Sequence, residues 1–312
     1  MKTTAITPAD LAASVLAVPP LARRADLTID AAQNGQLLDH LRSGGVRTFM
    51  YGGNANLYNM AITELRTLCE MLIKLSRDGD WIVPSVGSDY GKAQEQLRML
   101  REFPFPTAMV LPNRFPSTPA GVATGLRKLA EAYSKPVIAY VKDDGYVDAA
   151  DLGKLIKEGV LCAVKYGTVR DEPANDKYLA DIVTAVGTDL VISGIGERPA
   201  IDHLTKFRLK AFTSGSVCIA PGLSMALLRA IKRNDLAEAA RVRALFMPME
   251  DLRDKHSPLR ALHDAVRLAG ICDTGPMQPF LSNIQDAAAL SAIEKAAKEL
   301  LAAERSAMAK AA

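Results

Sequence analysis

Eight short apolar runs alternate with longer amphipathic stretches along this chain, and that alternation limits the fold more than any other feature. The runs are SVLAVPP (14–20), VRTFMYGG (46–53), WIVPSVG (81–87), TAMVLP (107–112), PVIAYV (136–141), LCAVKY (161–166), DLVISG (189–194) and LKAFTSG (209–215). They are nearly continuous in apolar residues, as parallel strands covered on both faces should be. The stretches between them are helical in spacing. In GVATGLRKLAEAYSK, for instance, Val122, Leu126, Leu129, Ala130 and Tyr133 recur on one side. Gly or Pro closes most runs, and no structureless linker interrupts the series. Eight β–α repeats predict an α/β protein, a (β/α)8 TIM barrel with a C-terminal helical extension. A doubly wound sheet fits the same alternation.

After Pro221 the pattern is helical throughout, which divides the chain into a barrel with its site (1–225) and the last barrel helix with the extension (226–312). The Ala-rich tail from Ala287 has strong helix propensity but few bulky residues, so it reads as a helix that is lightly packed or frayed at its end. The opening MKTTAITPADLAASVLAVPPLARR has a short apolar run preceded by Asp10 and followed by Arg23-Arg24. It reads as a strand and not as a signal peptide.

Composition removes several classes of function. The 312 residues carry a net charge of +3, with basic and acidic residues interleaved, so neither nucleic acid nor an anionic membrane is an expected partner. No run approaches the roughly 18 apolar residues of a membrane helix. The four cysteines, Cys69, Cys162, Cys218 and Cys272, are widely spaced without a C-x-x-C pair, which predicts reduced thiols and a cytoplasmic protein. Asp89, Asp143 and Asp144 are not spaced as a metal cage, and no metal or organic cofactor is expected. His40, His203, His256 and His263 fall in helical or loop segments and read as structural.

In a parallel barrel the chemistry gathers where strands end. Of the residues there, Lys165 in LCAVKYGTVRD is the one strong nucleophile. An apolar barrel mouth disfavours ammonium and moves the lysine pKa toward neutrality. The free amine can then attack a ketone to give an imine, an electron sink for a carbanion at the neighbouring carbon. Tyr140, one βα unit earlier, offers a phenol for proton transfer. Spacing alone also fits a Lys165 that snorkels at the rim and a Tyr140 that only packs.

The order of these segments resembles the dihydrodipicolinate synthase and N-acetylneuraminate lyase family of class I, Schiff-base pyruvate aldolases. The resemblance runs from about Ser14 to Leu301. It is carried by FMYGGNANLYN at the family's Gly-Thr-Thr-Gly-Glu turn, VIAYV at its tyrosine strand, AVKYGTVRD at its Schiff-base lysine strand, AFTSGSVCIAP at strand eight, and SPLRALHDAVRLAGI in the C-terminal helices. It implies imine formation by Lys165 with Tyr140 as the phenol serving it. The N–H groups of Gly53 and Asn54, with the Asn54 amide, would hold the 2-oxo-acid carboxylate, and Thr213, Ser214, Gly194 and Arg198 would complete the pocket.

The departures are informative. Gly53 and Asn54 stand where the family turn has two threonines, so the hydroxyl relay at Gly53 is gone. Pro112 and Asn113 fall near the synthase's second tyrosine. YVKDDG replaces the Tyr-Asn-x-Pro-x-Arg pattern, so Gly145 takes the place of the arginine that receives the aldehyde's carboxylate. Lys142, Arg170 and Glu197 are candidates for what binds there instead.

The expectation is a lyase, aldolase or dehydratase acting on pyruvate or a 2-keto-3-deoxy acid, in a homodimer or homotetramer. Dihydrodipicolinate synthase itself, or a barrel that binds 2-oxo acids without turnover, are the alternatives.

Overall fold

The computed structural model describes residues 1–311. Eight parallel strands close into a barrel in chain order. They are β1 (Leu16–Ala17), β2 (Thr48–Tyr51), β3 (Trp81–Val86), β4 (Met109–Val110), β5 (Val137–Val141), β6 (Leu161–Tyr166), β7 (Val191–Ser193) and β8 (Ala211–Ser214). Each lies inside one of the eight apolar runs. The helices are α1 (Pro8–Ala13), α2 (Ala31–Ser43), α3 (Ile62–Leu75), α4 (Tyr90–Leu100), α5 (Pro119–Tyr133), α6 (Ala149–Lys157), α7 (Lys177–Val186), α8 (Ala200–Thr205), α9 (Pro221–Lys232), α10 (Leu236–His256), α11 (Pro258–Leu268) and α12 (Ala287–Ala311). The barrel is the expected one, and α10 to α12 form the C-terminal extension. Among the described residues no helix is long and apolar enough to cross a membrane.

The element boundaries follow from local chemistry. Asp30, Asp89, Thr118, Asp176 and Asp235 each accept a backbone N–H from the first turn of the helix they precede, which satisfies donors that the helix cannot. The opening segment differs from its reading as a strand alone. Pro8–Ala13 forms a helical turn, with Thr7 and Asp10 bonded to each other, and only Leu16–Ala17 is β. Likewise the helical stretch after Pro221 is broken between α9 and α10, where Asn234 adopts a positive φ of 58° and Asp235 caps the next helix. The tail is packed and not frayed through Leu301: Ala289, Ile293, Ala297, Leu300 and Leu301 are buried.

Contacts group the chain into two compact units. One comprises Met1–Ala13, Ala61–Ile195 and Asp202–Thr213, and the other Ser14–Met60, Gly196–Ile201 and Ser214–Ala312. In the first, strand register decides which side chains face inward. Tyr140 pairs with Lys165, Lys165 with Ile192, and Ile192 with Ala211. The alternate residues, Tyr166 and Ser193, are also register partners. They meet helical side chains: Tyr166 Oη donates to Asp176 (2.7 Å), and Ser193 Oγ lies 2.8 Å from His203 Nδ1 on α8. Tyr140, Lys165, Ile192 and Ala211 therefore occupy the opposite, interior face. In the second unit β1 pairs with β2, and Leu37, Leu38 and Leu41 of α2 and Val242, Phe246, Leu262 and Ile293 of α10 to α12 are buried.

Candidate functional site

Lys165 sits on the interior face of β6 and is 4% exposed. Its Nζ lies 4.2 Å from the centroid of the Tyr140 ring, so the amine and the phenol form one contact pair across neighbouring strands. Two glycines make room for it. A Cβ at Gly167 would come within 2.7 Å of Tyr140 Cε2 and 3.1 Å of its Oη. At Gly194 it would meet the Tyr166 carbonyl oxygen at 2.5 Å and Lys165 Cγ at 3.1 Å. Gly194, expected to touch substrate, thus has a defined role against the lysine stem, and its N–H donates to Tyr166 O at 2.6 Å. Gly167 escaped the sequence reading, because a glycine after a strand marks a turn as readily as a side-chain cradle.

The loops that follow β5 and β6 are laced together. Arg170 pairs with Asp144 and, through Nε at 3.0 Å, with the buried Asp176, which also accepts from Tyr166 Oη and caps α7. Hydrogen bonds to these two carboxylates raise the guanidinium pKa further. Arg170 is thereby committed to its own chain. Asn113 N–H donates to Tyr146 Oη at 3.2 Å, and Arg114 pairs with Asp143. Thr213, two residues beyond Ala211, shares the interior face and is buried.

In the second unit, the turn after β2 offers two adjacent donors. Asn56 N–H bonds Gly53 O at 2.8 Å, while among the described residues neither Gly53 N–H nor Asn54 N–H has an acceptor. That is the arrangement suited to a carboxylate. The Asn54 side chain is already engaged: its Nδ2 donates to Val18 O at 2.8 Å. Ser214 is engaged too, donating to Glu197 at 2.8 Å and accepting Val217 N–H at 2.9 Å. Its alternation from Thr213 explains the difference.

Ser214 belongs to a buried ionic cluster that sequence analysis glimpsed only through GIGERP. Glu197 is fully buried and accepts from Ser214 and from Ser224 (2.6 Å). Gly196 has a φ of +85°, and a Cβ there would meet Glu250 Oε2 at 2.9 Å. Glu250 accepts from Arg253 Nη1 at 2.7 Å and from Ser216. Burial, then the charge of Glu250, pushes the Glu197 carboxyl up to about 7. Arg253 Nη2 and Asn54 Nδ2 both crowd the α-carbon of Gly215, at 2.7 and 2.9 Å from where a Cβ would stand. Arg198, expected in the substrate pocket, pairs instead with Asp251 (2.6 Å) and Asp254 (3.1 Å) on α10. Glu250 and Arg253 were missed because an i, i+3 acid–base pair on a helix ordinarily marks a solvated face.

The histidines are structural where their contacts are defined. His203 is held neutral, its pKa lowered to about 4 by burial, and His40 and His263 meet the carbonyls of Ile219 and Gly275.

No protein-family model and no curated protein sequence matches the chain. Solved structures do. Dihydrodipicolinate synthase from Bacillus clausii superposes with a TM-score of 0.82 at 20% identity, covering 96% of this chain and 100% of that one. PhdJ bound to a substrate intermediate matches with a TM-score of 0.82 at 17% identity, over 97% and 99% of the two chains. N-acetylneuraminate lyase from Proteus mirabilis gives 0.79 at 15%, over 92% and 98%. At such identities the likeness is one of architecture, and the chain has the (β/α)8 fold with C-terminal helices that these proteins share.

Proposed function

We propose that this protein is a Schiff-base lyase of the pyruvate-aldolase type. It would act on pyruvate or a 2-keto-3-deoxy acid, by aldol cleavage or condensation or by elimination of water. The observation that carries this reading is the buried amine of Lys165 against the Tyr140 ring on the interior face. The amine adds to the 2-oxo carbon, and loss of water gives the imine. Protonated, that imine accepts the electron pair released when the bond beyond C3 breaks. Tyr140 is the proton carrier. Thr213 lines the pocket.

Gly145 stands where the synthase pattern has its arginine, which favours this reading over dihydrodipicolinate synthase. A homodimer or homotetramer in the cytoplasm accords with the resemblance and with four free cysteines.

The test is borohydride reduction in the presence of pyruvate and a panel of 2-keto-3-deoxy acids. The expected result is one stable adduct mass on the Lys165 peptide, absent in Lys165→Ala. No adduct with any 2-oxo acid would refute the proposal.

A further inference from the structure

Two glycine contacts wall in the reacting pair, and both pivot on Tyr166, the last residue of β6. Gly167, the next residue, has its α-carbon against the Tyr140 ring, where a Cβ would stand 2.7 Å from Cε2. Gly194 donates its N–H to Tyr166 O at 2.6 Å, and a Cβ on it would stand 3.1 Å from Lys165 Cγ. A shift of the Tyr166 backbone therefore moves a wall of the phenol and a wall of the amine together. Interiors packed this closely transmit such shifts.

Tyr166 is held through its side chain, on the opposite face of β6 from Lys165. Its Oη donates to Asp176 at 2.7 Å, and the Asp176 carboxylate is fully buried. Leu179 N–H and Arg170 Nε, each at 3.0 Å, fix that carboxylate in turn. The same guanidinium grips Asp144, three residues past the end of β5, through Nη1 at 2.7 Å and through Nη2. The ladder between β5 and β6 ends with Gly167 N–H on Val141 O at 2.7 Å. Past that bond, the planar fork of Arg170 spans carboxylates from both loops, a geometry that lysine cannot reproduce. A second tie runs beside it. The Tyr166 ring meets that of Tyr178 edge-on, with centroids 6.0 Å apart, and Tyr178 Oη donates to Val147 O at 2.5 Å.

We infer that Tyr166, Asp176 and Arg170 are positioning residues, a clamp that sets the Tyr140 phenol against Lys165 for proton transfer. This rests on the reading of Lys165 and Tyr140 as the reacting pair. In the imine of pyruvate, the Tyr140 oxygen takes a proton from C3. The C–H electron pair becomes the C2–C3 double bond, and the imine π pair moves onto nitrogen. In D2O the tyrosine exchanges its proton and returns a deuteron to C3. Displacing the phenol by a fraction of an ångström slows this transfer. The equilibrium yield of imine depends on the amine and the ketone, not on the phenol's position.

The assay is deuterium exchange into the pyruvate methyl group, followed by NMR, beside the yield of borohydride adduct on Lys165. Tyr166→Phe keeps the ring and removes the bond to Asp176; Arg170→Lys keeps the charge and loses the fork. Each should slow exchange at least about tenfold and leave the adduct yield unchanged. In a Tyr140→Phe background neither should slow the residual exchange further, because the residue being positioned is gone. Unchanged exchange in both variants, a parallel fall in adduct, or the same fall with and without Tyr140 would overturn the clamp. Any of these with adduct in the wild type leaves the Schiff-base reading standing. No adduct in the wild type refutes that reading and the clamp with it.

Discussion

Replacing Glu197 by glutamine should make the protein more stable, and more so as the pH rises. The unfolded carboxyl titrates near 4.5, whereas burial and Glu250 push the folded one to about 7. Between those values the native state keeps a proton that the unfolded state has lost. Stability from this group is therefore present in full below pH 4.5. It declines at up to about 1.4 kcal/mol per pH unit through the window and is lost once the pH exceeds 7. The whole effect is about 3 kcal/mol. Glutamine stays neutral throughout. Its amide oxygen can accept from one of Ser214 and Ser224, and its nitrogen can donate to the other.

Urea unfolding of both proteins at pH 5, 6, 7 and 8, with unchanged m-values, measures the difference directly. Groups common to both proteins cancel, and any constant loss from imperfect amide geometry shifts the offset but not the slope. The expected result is a gap in favour of Glu197→Gln that widens by about 2.5 kcal/mol between pH 5 and 8. A pH-independent gap would show that Glu197 is ionised in the folded cluster across this range, and the argument from burial would fall.

Two further substitutions probe the glycine contacts. Gly167→Ala should displace the Tyr140 ring, lowering kcat by about a hundredfold while borohydride still traps the imine at Lys165; an unchanged kcat would remove Tyr140 from the proton-transfer role. Gly275→Ala combines a φ of +65° with a Cβ 1.8 Å from the Arg23 carbonyl oxygen, and should cost about 2–4 kcal/mol in denaturant titration.

What could be read in the residues was whatever depends on short-range pattern. A parallel strand buried on both faces must be apolar throughout, so all eight strands were visible as runs. The polar breaks between them place Lys165, Tyr140 and Ser214 near strand ends. The helical break at Asn234 was less visible, since the apolar periodicity hardly changes across it and a single positive φ ends α9.

Composition and spacing by themselves determined that this chain would fold as repeated β–α units with a lysine and a tyrosine on adjoining strands. Only the tertiary structure decided which polar residues are engaged by other parts of the chain. Arg198, Arg170 and the Asn54 amide looked available in sequence, yet each is bound within the protein. The reason is that a side chain's direction alternates along a strand, but its partner comes from a segment tens of residues away. Neither Asp251 nor Asp254 on α10 can be read from the neighbourhood of Arg198, and the burial that sets the charge of Glu197 exists only when Ser214, Ser224 and Glu250 close around it.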